Sequence, residues 1–489
     1  MKNLLTLSGT ELAALIRTGE VTSREVVDAH IAHIEAVNPS LNAVVVDRFA
    51  KARAEANRAD RTLKEKGPDN LPPFHGVPCT IKESFAFKGM PNTSGLMARK
   101  DIKITADAPT VARMRKAGAI PLGVTNTSEL CLWMETNNRV YGRTNNPYRA
   151  DRIVGGSSGG EGAIIGAGGS PFGLGADVGG SIRMPAFFNG VFGHKPSPGI
   201  VPNTGQYPIA ENEALRYLSS GPLARRAEDL MPLLRVMAGP DGKDAECKPC
   251  KLGDPSKVRI ADLNIIDVEG NGKIHVTPDL KEAQQKAARA LESCGASVQE
   301  AKVNRLKHSF DIWSSMLNAA GGTSFCEMLG KSPTEAAKEL LPWALRKSPH
   351  TLPALILAMI EKLPALTPAR NKRFIQYGRE LRDEVIQLIG PKGVMLYPSY
   401  PAPAPAHYKP LWPPFNWQYC GIFNVLELPV TQVPLGLNKD GVPLGVQVVG
   451  IPGNDHVTIA VAMELERIFG GWIPPERFFG KEAPVLQVA

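Results

Sequence analysis

The 489-residue chain has no run of about 18 uninterrupted apolar residues, so no transmembrane span is expected. It also has no block of like charges. Its net charge of +8 is spread over 56 basic and 48 acidic residues, which argues against a nucleic-acid partner. Cysteine is scarce and odd in number: seven residues in so long a chain suit a reducing compartment, not a disulfide framework. The first residues, Met1-Lys2-Asn3-Leu4-Leu5, turn polar too soon for a secretory signal, and a cytoplasmic location is expected. Internal repeats are absent. At 43% hydrophobic and 21% charged residues, the chain has ample apolar material for a core, which excludes disorder as its main state.

What is present reads as alternating helix and strand. Ser8-Gly-Thr-Glu11 and Thr22-Ser-Arg-Glu25 are capping boxes that open two helices, the first ended by Gly19 and the second stopped by Pro39. A third, charged and Ala-rich, is expected over about 47–66. Short β-like runs follow at Val77–Ile81, Ile120–Gly123, Val258–Ala261, Val394–Tyr397 and Val446–Val449. Helices are expected at 111–116, from Pro278 to Gly295, and over about 454–469. The alternation argues an α/β fold with a largely buried sheet. Leu352–Leu366 is short and almost wholly apolar; it suits a buried core helix, a lid over a substrate channel, or a patch meeting membrane or a second copy in a homodimer.

Twelve of the 27 residues in 155–181 are glycine, which would weaken any long helix or strand there. Neither phosphate motif fits. No Gly-Lys-Ser/Thr follows, and Gly173-Leu-Gly175 lacks the third glycine of a dinucleotide fingerprint. A nucleophilic site fits better. Val178-Gly-Gly-Ser181 sets a serine behind two residues without side chains, whose backbone N–H groups can converge on a developing oxyanion. None of the nine histidines sits in a triad context, and Arg183 breaks the G-x-S-x-G pattern. The base can instead be Lys82, which ends an apolar run; burial disfavours its ammonium form. Cys247-Lys-Pro-Cys250 has no second pair and reads as an ordinary loop, so no metal is expected.

Gly155-Gly-Ser-Ser-Gly-Gly160 followed by Gly175-Ala-Asp-Val-Gly-Gly-Ser-Ile-Arg-Met-Pro185 resembles the amidase signature family. The resemblance covers most of the chain and is weakest in about 200–255 and 300–420. It implies a single α/β domain over 1–489, a mixed β-sheet covered by helices on both faces. Within it, 1–70 would be helical, 71–200 the catalytic core and 300–420 a variable lid region. It implies Ser181 as nucleophile, Ser157 after a cis peptide bond as the bridging serine, and Lys82 as base, at separations of 24 and 75 positions. It further implies an oxyanion hole from the backbone of Val178, Gly179, Gly180 and Ser181, with Ser158, Asp177 and Arg183 in support.

Glu161, Ile182-Arg-Met-Pro185 and the 75-residue spacing are most similar to fatty-acid-amide-hydrolase-type members. The expected activity is therefore hydrolysis of hydrophobic amides, anilides or carbamates (urethanes), without a cofactor. Cys131, Trp133, Met134, Phe187, Phe415 and Trp417 are the expected pocket residues. Two other readings stand beside it: a glutamine-hydrolysing component of a tRNA-dependent amidotransferase, and a non-catalytic binding protein that kept the fold.

Overall fold

The computed structural model describes residues 3–361 and 367–480. Both N-terminal capping boxes form. Ser8 and Glu11 bond reciprocally at the head of helix Gly9–Thr18, and Thr22 and Glu25 at the head of Ser23–Leu41. The expected stop at Pro39 does not occur: the second helix carries Pro39 in its last turn. Pro39 is exposed there, the following Leu41 is fully buried, and Asn42 in the left-handed region closes the helix by donating to the Asn38 carbonyl at 2.7 Å. Burial of Leu41 outweighs the single bond that proline forfeits. The third helix starts at Phe49, because Val44–Asp47 forms a strand first.

Thirteen strands are found among the described residues: β1 (Val44–Asp47), β2 (Pro78–Lys82), β3 (Ile120–Thr125), β4 (Asn137–Asn138), β5 (Gly142–Arg143), β6 (Phe172–Asp177), β7 (Phe192–Lys195), β8 (Ser219–Ala224), β9 (Asn264–Asp267), β10 (Ser297–Glu300), β11 (Gly393–Tyr397), β12 (Val430–Leu437) and β13 (Pro443–Val449). Eleven form one sheet in the order β1-β3-β2-β6-β8-β7-β12-β13-β11-β9-β10, and β4 pairs with β5 apart from it. β2 runs parallel to both β3 and β6, β9 parallel to β10 and β11, and the other pairs are antiparallel. The protein is thus one α/β domain on a mixed sheet flanked by helices. Strands β2, β3, β6, β8, β11 and β13 are buried along their whole length, as helix-covered strands must be.

The expected strand at Val258–Ala261 is displaced. Those residues fall in and around two 3₁₀ turns, Pro255–Lys257 and Ile260–Asp262, and pairing begins at β9. Ala261 and Asp262 are exposed, whereas Ile265 and Ile266 are buried between β10 and β11; the later pair has more apolar surface to bury. Within the apolar 352–366 segment, Leu352–Ile360 is a helix, while 362–366 lie outside the described residues. Ala354, Leu355 and Ala358 pack with Leu96, Leu130, Phe325 and Leu329 in a small cluster separate from the main core.

Candidate active site

Lys82 is the last residue of β2, at the end of a strand buried at every position. Its Nζ donates to Ser157 Oγ at 2.7 Å. The Gly156–Ser157 peptide bond is cis, as the motif resemblance implied. The Ser158 N–H donates to the Ser181 carbonyl at 3.2 Å, which sets the two serine-bearing turns side by side. Ser158 Oγ reaches the Ala176 carbonyl at 3.3 Å and so ties its turn to β6. Lys82 and Ser157 are each 1% exposed and Ser181 is 7% exposed, so Ser181 has the readiest access from outside. Burial pulls the Lys82 ammonium below its ordinary range, against smaller opposing effects from Cys131, Asp177 and Glu161.

Asp177 ends β6 and organises the turn that follows. Arg183 meets it through Nη2 to Oδ1 at 2.9 Å and Nε to Oδ2 at 3.0 Å, with both side chains fully buried. The remaining guanidinium hydrogens go to the Cys420 carbonyl at 2.8 Å, Gln447 Oε1 at 2.8 Å and Asn424 Oδ1 at 2.6 Å. Burial alone would push Asp177 up; the Arg183 charge and its bonds outweigh that and hold the carboxyl well below the usual range.

One expectation about this turn fails. The Gly180 N–H donates to Asp177 Oδ1 at 2.7 Å and is not free for an oxyanion. Gly180 sits at φ +111°, where a Cβ would also lie 2.4 Å from Cys420 Cβ, so the backbone folds back over the aspartate there. Among the described residues, the Gly179 and Ser181 N–H groups donate to no protein acceptor. The Val178 carbonyl accepts from the Trp313 indole N–H at 3.0 Å.

The sequence profile of the family described as Amidase matches residues 25–459. Human fatty-acid amide hydrolase 2 is 47% identical over 492 residues, covering 97% of this chain and 91% of that protein. A solved structure of 6-aminohexanoate cyclic dimer hydrolase with its substrate superposes with a TM-score of 0.79 at 27% identity, over 97% of this chain and 99% of that one. More distantly, a glutamyl-tRNA(Gln) amidotransferase component of Synechococcus sp. (strain CC9605) is 28% identical over 473 residues, 92% of this chain and 94% of that protein. The chain belongs to the amidase signature family. It is a serine hydrolase that acts on amides.

The expected pocket residues of this amidase divide into three groups. Trp417 borders the Ser181 turn: a Cβ on Gly179 would lie 3.5 Å from its ring and 3.8 Å from that of Trp313. Trp417 meets Trp313 edge-on at 4.5 Å, and Phe415 packs on Phe310 at 4.3 Å. Cys131 Sγ lies 3.3 Å from Thr127 Oγ1, on a tight turn where Leu130 and Cys131 both take positive φ. Trp133 is half-buried against the main core, and Met134 is buried with its sulfur 3.6 Å from Tyr400 Oη. Phe187 is a correction. It is fully buried against Phe188, on a helix packed into the core under β12 and β13, and is a core residue of the amidase, not a pocket residue.

Trp313 and Phe310, three apart on helix Ser309–Ala320, are site-lining residues that the motifs do not reveal. They fall in the stretch where the family resemblance is weakest. The turn that carries Cys131 also connects to the apolar segment expected as core, lid or contact patch. Glu129, in the same turn, lies 2.8 Å from His350 Nδ1 and accepts the Thr351 N–H at 2.7 Å. A cavity of about 980 Å³ lies elsewhere, among Thr277, Tyr400, Pro405, Trp412, Leu437 and Phe469, and none of Lys82, Ser157 and Ser181 lines it. Among the described residues no cluster of His, Cys, Asp or Glu is arranged to hold a metal; Cys247 is buried, bonding the Ile200 carbonyl, while Cys250 is exposed.

Proposed function

We propose that this amidase hydrolyses hydrophobic carboxamides, including aryl anilides, and aryl carbamates, with Ser181, Ser157 and Lys82 as its catalytic residues. The observation that carries the reading is the buried 2.7 Å contact between Lys82 and Ser157 beside the Ser181 turn. Ser181 Oγ attacks the substrate carbonyl. Its proton passes to Ser157 Oγ, whose own proton goes to neutral Lys82 Nζ. The lysine ammonium returns a proton by the same route to the leaving nitrogen, and the C–N bond breaks with release of the amine. Water then attacks the acyl-enzyme through the same relay and frees the acid.

The oxyanion is held by N–H groups of the Val178–Ser181 turn, with Gly179 and Ser181 among the free donors and Gly180 bound to Asp177. The aromatic group of Phe310, Trp313, Phe415 and Trp417 beside Gly179 supports a hydrophobic substrate. A free glutamine would ask instead for partners to its α-ammonium and α-carboxylate. A carbamate presents the same nitrogen-bearing carbonyl to Ser181 and is attacked in the same way.

The test assays the chain alone on a fatty acyl amide, an aryl anilide, an aryl carbamate and glutamine, beside Ser181→Ala. Turnover of the first three, abolished in Ser181→Ala, is expected. Turnover of glutamine alone would overturn the substrate reading.

A further inference from the structure

Glu161 is a fully buried carboxyl that the proposed reaction does not use. It stands in the first turn of helix Gly159–Gly166, four residues after Ser157. Three neighbouring strands build its seat. Thr80 of β2 donates Oγ1–H to Oε2 at 2.7 Å, and Thr125 of β3 donates to Oε1 at 2.8 Å. Gly173 of β6 leaves the space: a Cβ there would lie 1.9 Å from Oε2. Among the described residues no cation bonds this carboxyl.

The seat places Glu161 beside Lys82. Thr80 and Lys82 are two apart on β2 and project from the same sheet face, and Thr125 is the direct cross-strand partner of Lys82. The other groups around the pair are accounted for. Cys79 lies on the opposite face of β2 with its thiol pushed up by burial, Cys131 Sγ pairs with Thr127 Oγ1 at 3.3 Å, and Asp177 is committed to Arg183. Glu83, next in the chain, is held by the Thr93 and Ser94 N–H groups and Tyr141 Oη. Lys82 is the cation whose charge reaches Glu161, through space and without a direct bond.

We propose that Glu161 is a positioning residue for the base: its carboxyl, seated on Thr80, Thr125 and Gly173, stabilises the ammonium that Lys82 becomes on taking the Ser157 proton. The inference rests on the reading of Lys82 as the base. Burial pushes the Glu161 carboxyl up to about 8 and pulls Lys82 down from its ordinary range, so rising pH both ionises the carboxyl and neutralises the amine. The negative charge then makes Lys82 the stronger base. It also has a cost, because it delays deprotonation of the lysine as pH rises.

The experiment compares kcat/KM against pH on an aryl anilide for the unmodified protein, Glu161→Gln, Thr125→Val and Lys82→Ala. Glu161→Gln removes the charge but not the bulk. Its acid limb is expected about one pH unit lower, because the ammonium has lost its partner, and its alkaline plateau about tenfold lower, because the base is weaker. Thr125→Val weakens the carboxylate and shifts the limb the same way by less; it reads the effect even where the Gln variant fails to fold. An unmoved limb in the folded variants, with Lys82→Ala inactive, overturns this inference alone and reduces Glu161 to packing. Full activity in Lys82→Ala overturns the underlying reading instead.

Discussion

Lys82 carries an ionisable group at 1% exposure, a placement that costs solvation and is kept where the group does chemistry. Its ammonium is disfavoured by burial, and a neutral amine is what a base requires. The rate should therefore rise with pH through a limb below the ordinary lysine range, and Lys82→Ala should lower kcat/KM by about 10²–10⁴, checked by steady-state kinetics. Asp177 and Arg183 belong to stability first. Asp177→Asn leaves a buried guanidinium without its counter-charge and should cost about 3–5 kcal/mol in urea unfolding. The sign follows from the depressed Asp177 carboxyl: its contribution is complete above its ordinary value, about 4, and is lost only as pH falls through the lower folded value. At this scale the sequence was most legible for residues inside the glycine-rich motif. Its limit was Gly180, whose N–H is taken by the Asp177 side chain three positions earlier, a bond that shows only once the turn's backbone, with φ +111° at Gly180, is in view.

At the scale of elements, the Val178–Ser181 turn is held from both sides, by Asp177 within and by Trp313 from helix Ser309–Ala320. Trp313→Phe removes the indole N–H while keeping an aromatic face. A net loss of about 0.5–1.5 kcal/mol of positioning would lower kcat roughly two- to tenfold, with near-unchanged global stability by calorimetry. The cluster around Leu355 ties helices Phe325–Leu329 and Leu352–Ile360 to Leu130, one residue from Cys131. Leu355→Ala should cost about 2–5 kcal/mol there. Hydrogen exchange should show faster exchange in those two helices and none in β6, since the cluster is separate from the main core. Helix starts were readable because capping boxes are local chemistry. The strand shift from Val258 to Asn264 and the helix that runs on through Pro39 were not, because tertiary burial of Ile265, Ile266 and Leu41 decided them.

At the scale of the molecule, the sheet brings residues 99 positions apart in the chain to one edge. β2 lies beside β6, so Lys82 at the end of one strand and Ser181 just past the end of the other share one edge of the core. Alternating helix and strand marked an α/β fold, but the eleven-strand order depends on contacts between distant segments that no local pattern records. The motif nominates Lys82, Ser157 and Ser181 from spacing and residue type, and the fold brings Lys82 Nζ within 2.7 Å of Ser157 Oγ. The aromatic wall was only half legible, since Trp313 and Phe310 come from a variable segment that reaches the site through folding alone.

The most direct test of the central claim is to trap the acyl-enzyme. The protein is reacted with a slowly turned-over aryl carbamate, quenched in acid, digested and mapped by mass spectrometry. With an O-aryl carbamate, whose aryloxide is the better leaving group and departs as the aryl alcohol in place of the amine, one carbamoyl group is expected on Ser181, formed in step with loss of amidase activity and absent from Ser181→Ala. A modified Ser157, Cys131 or other side chain in an inactivated enzyme, with Ser181 untouched, would contradict it.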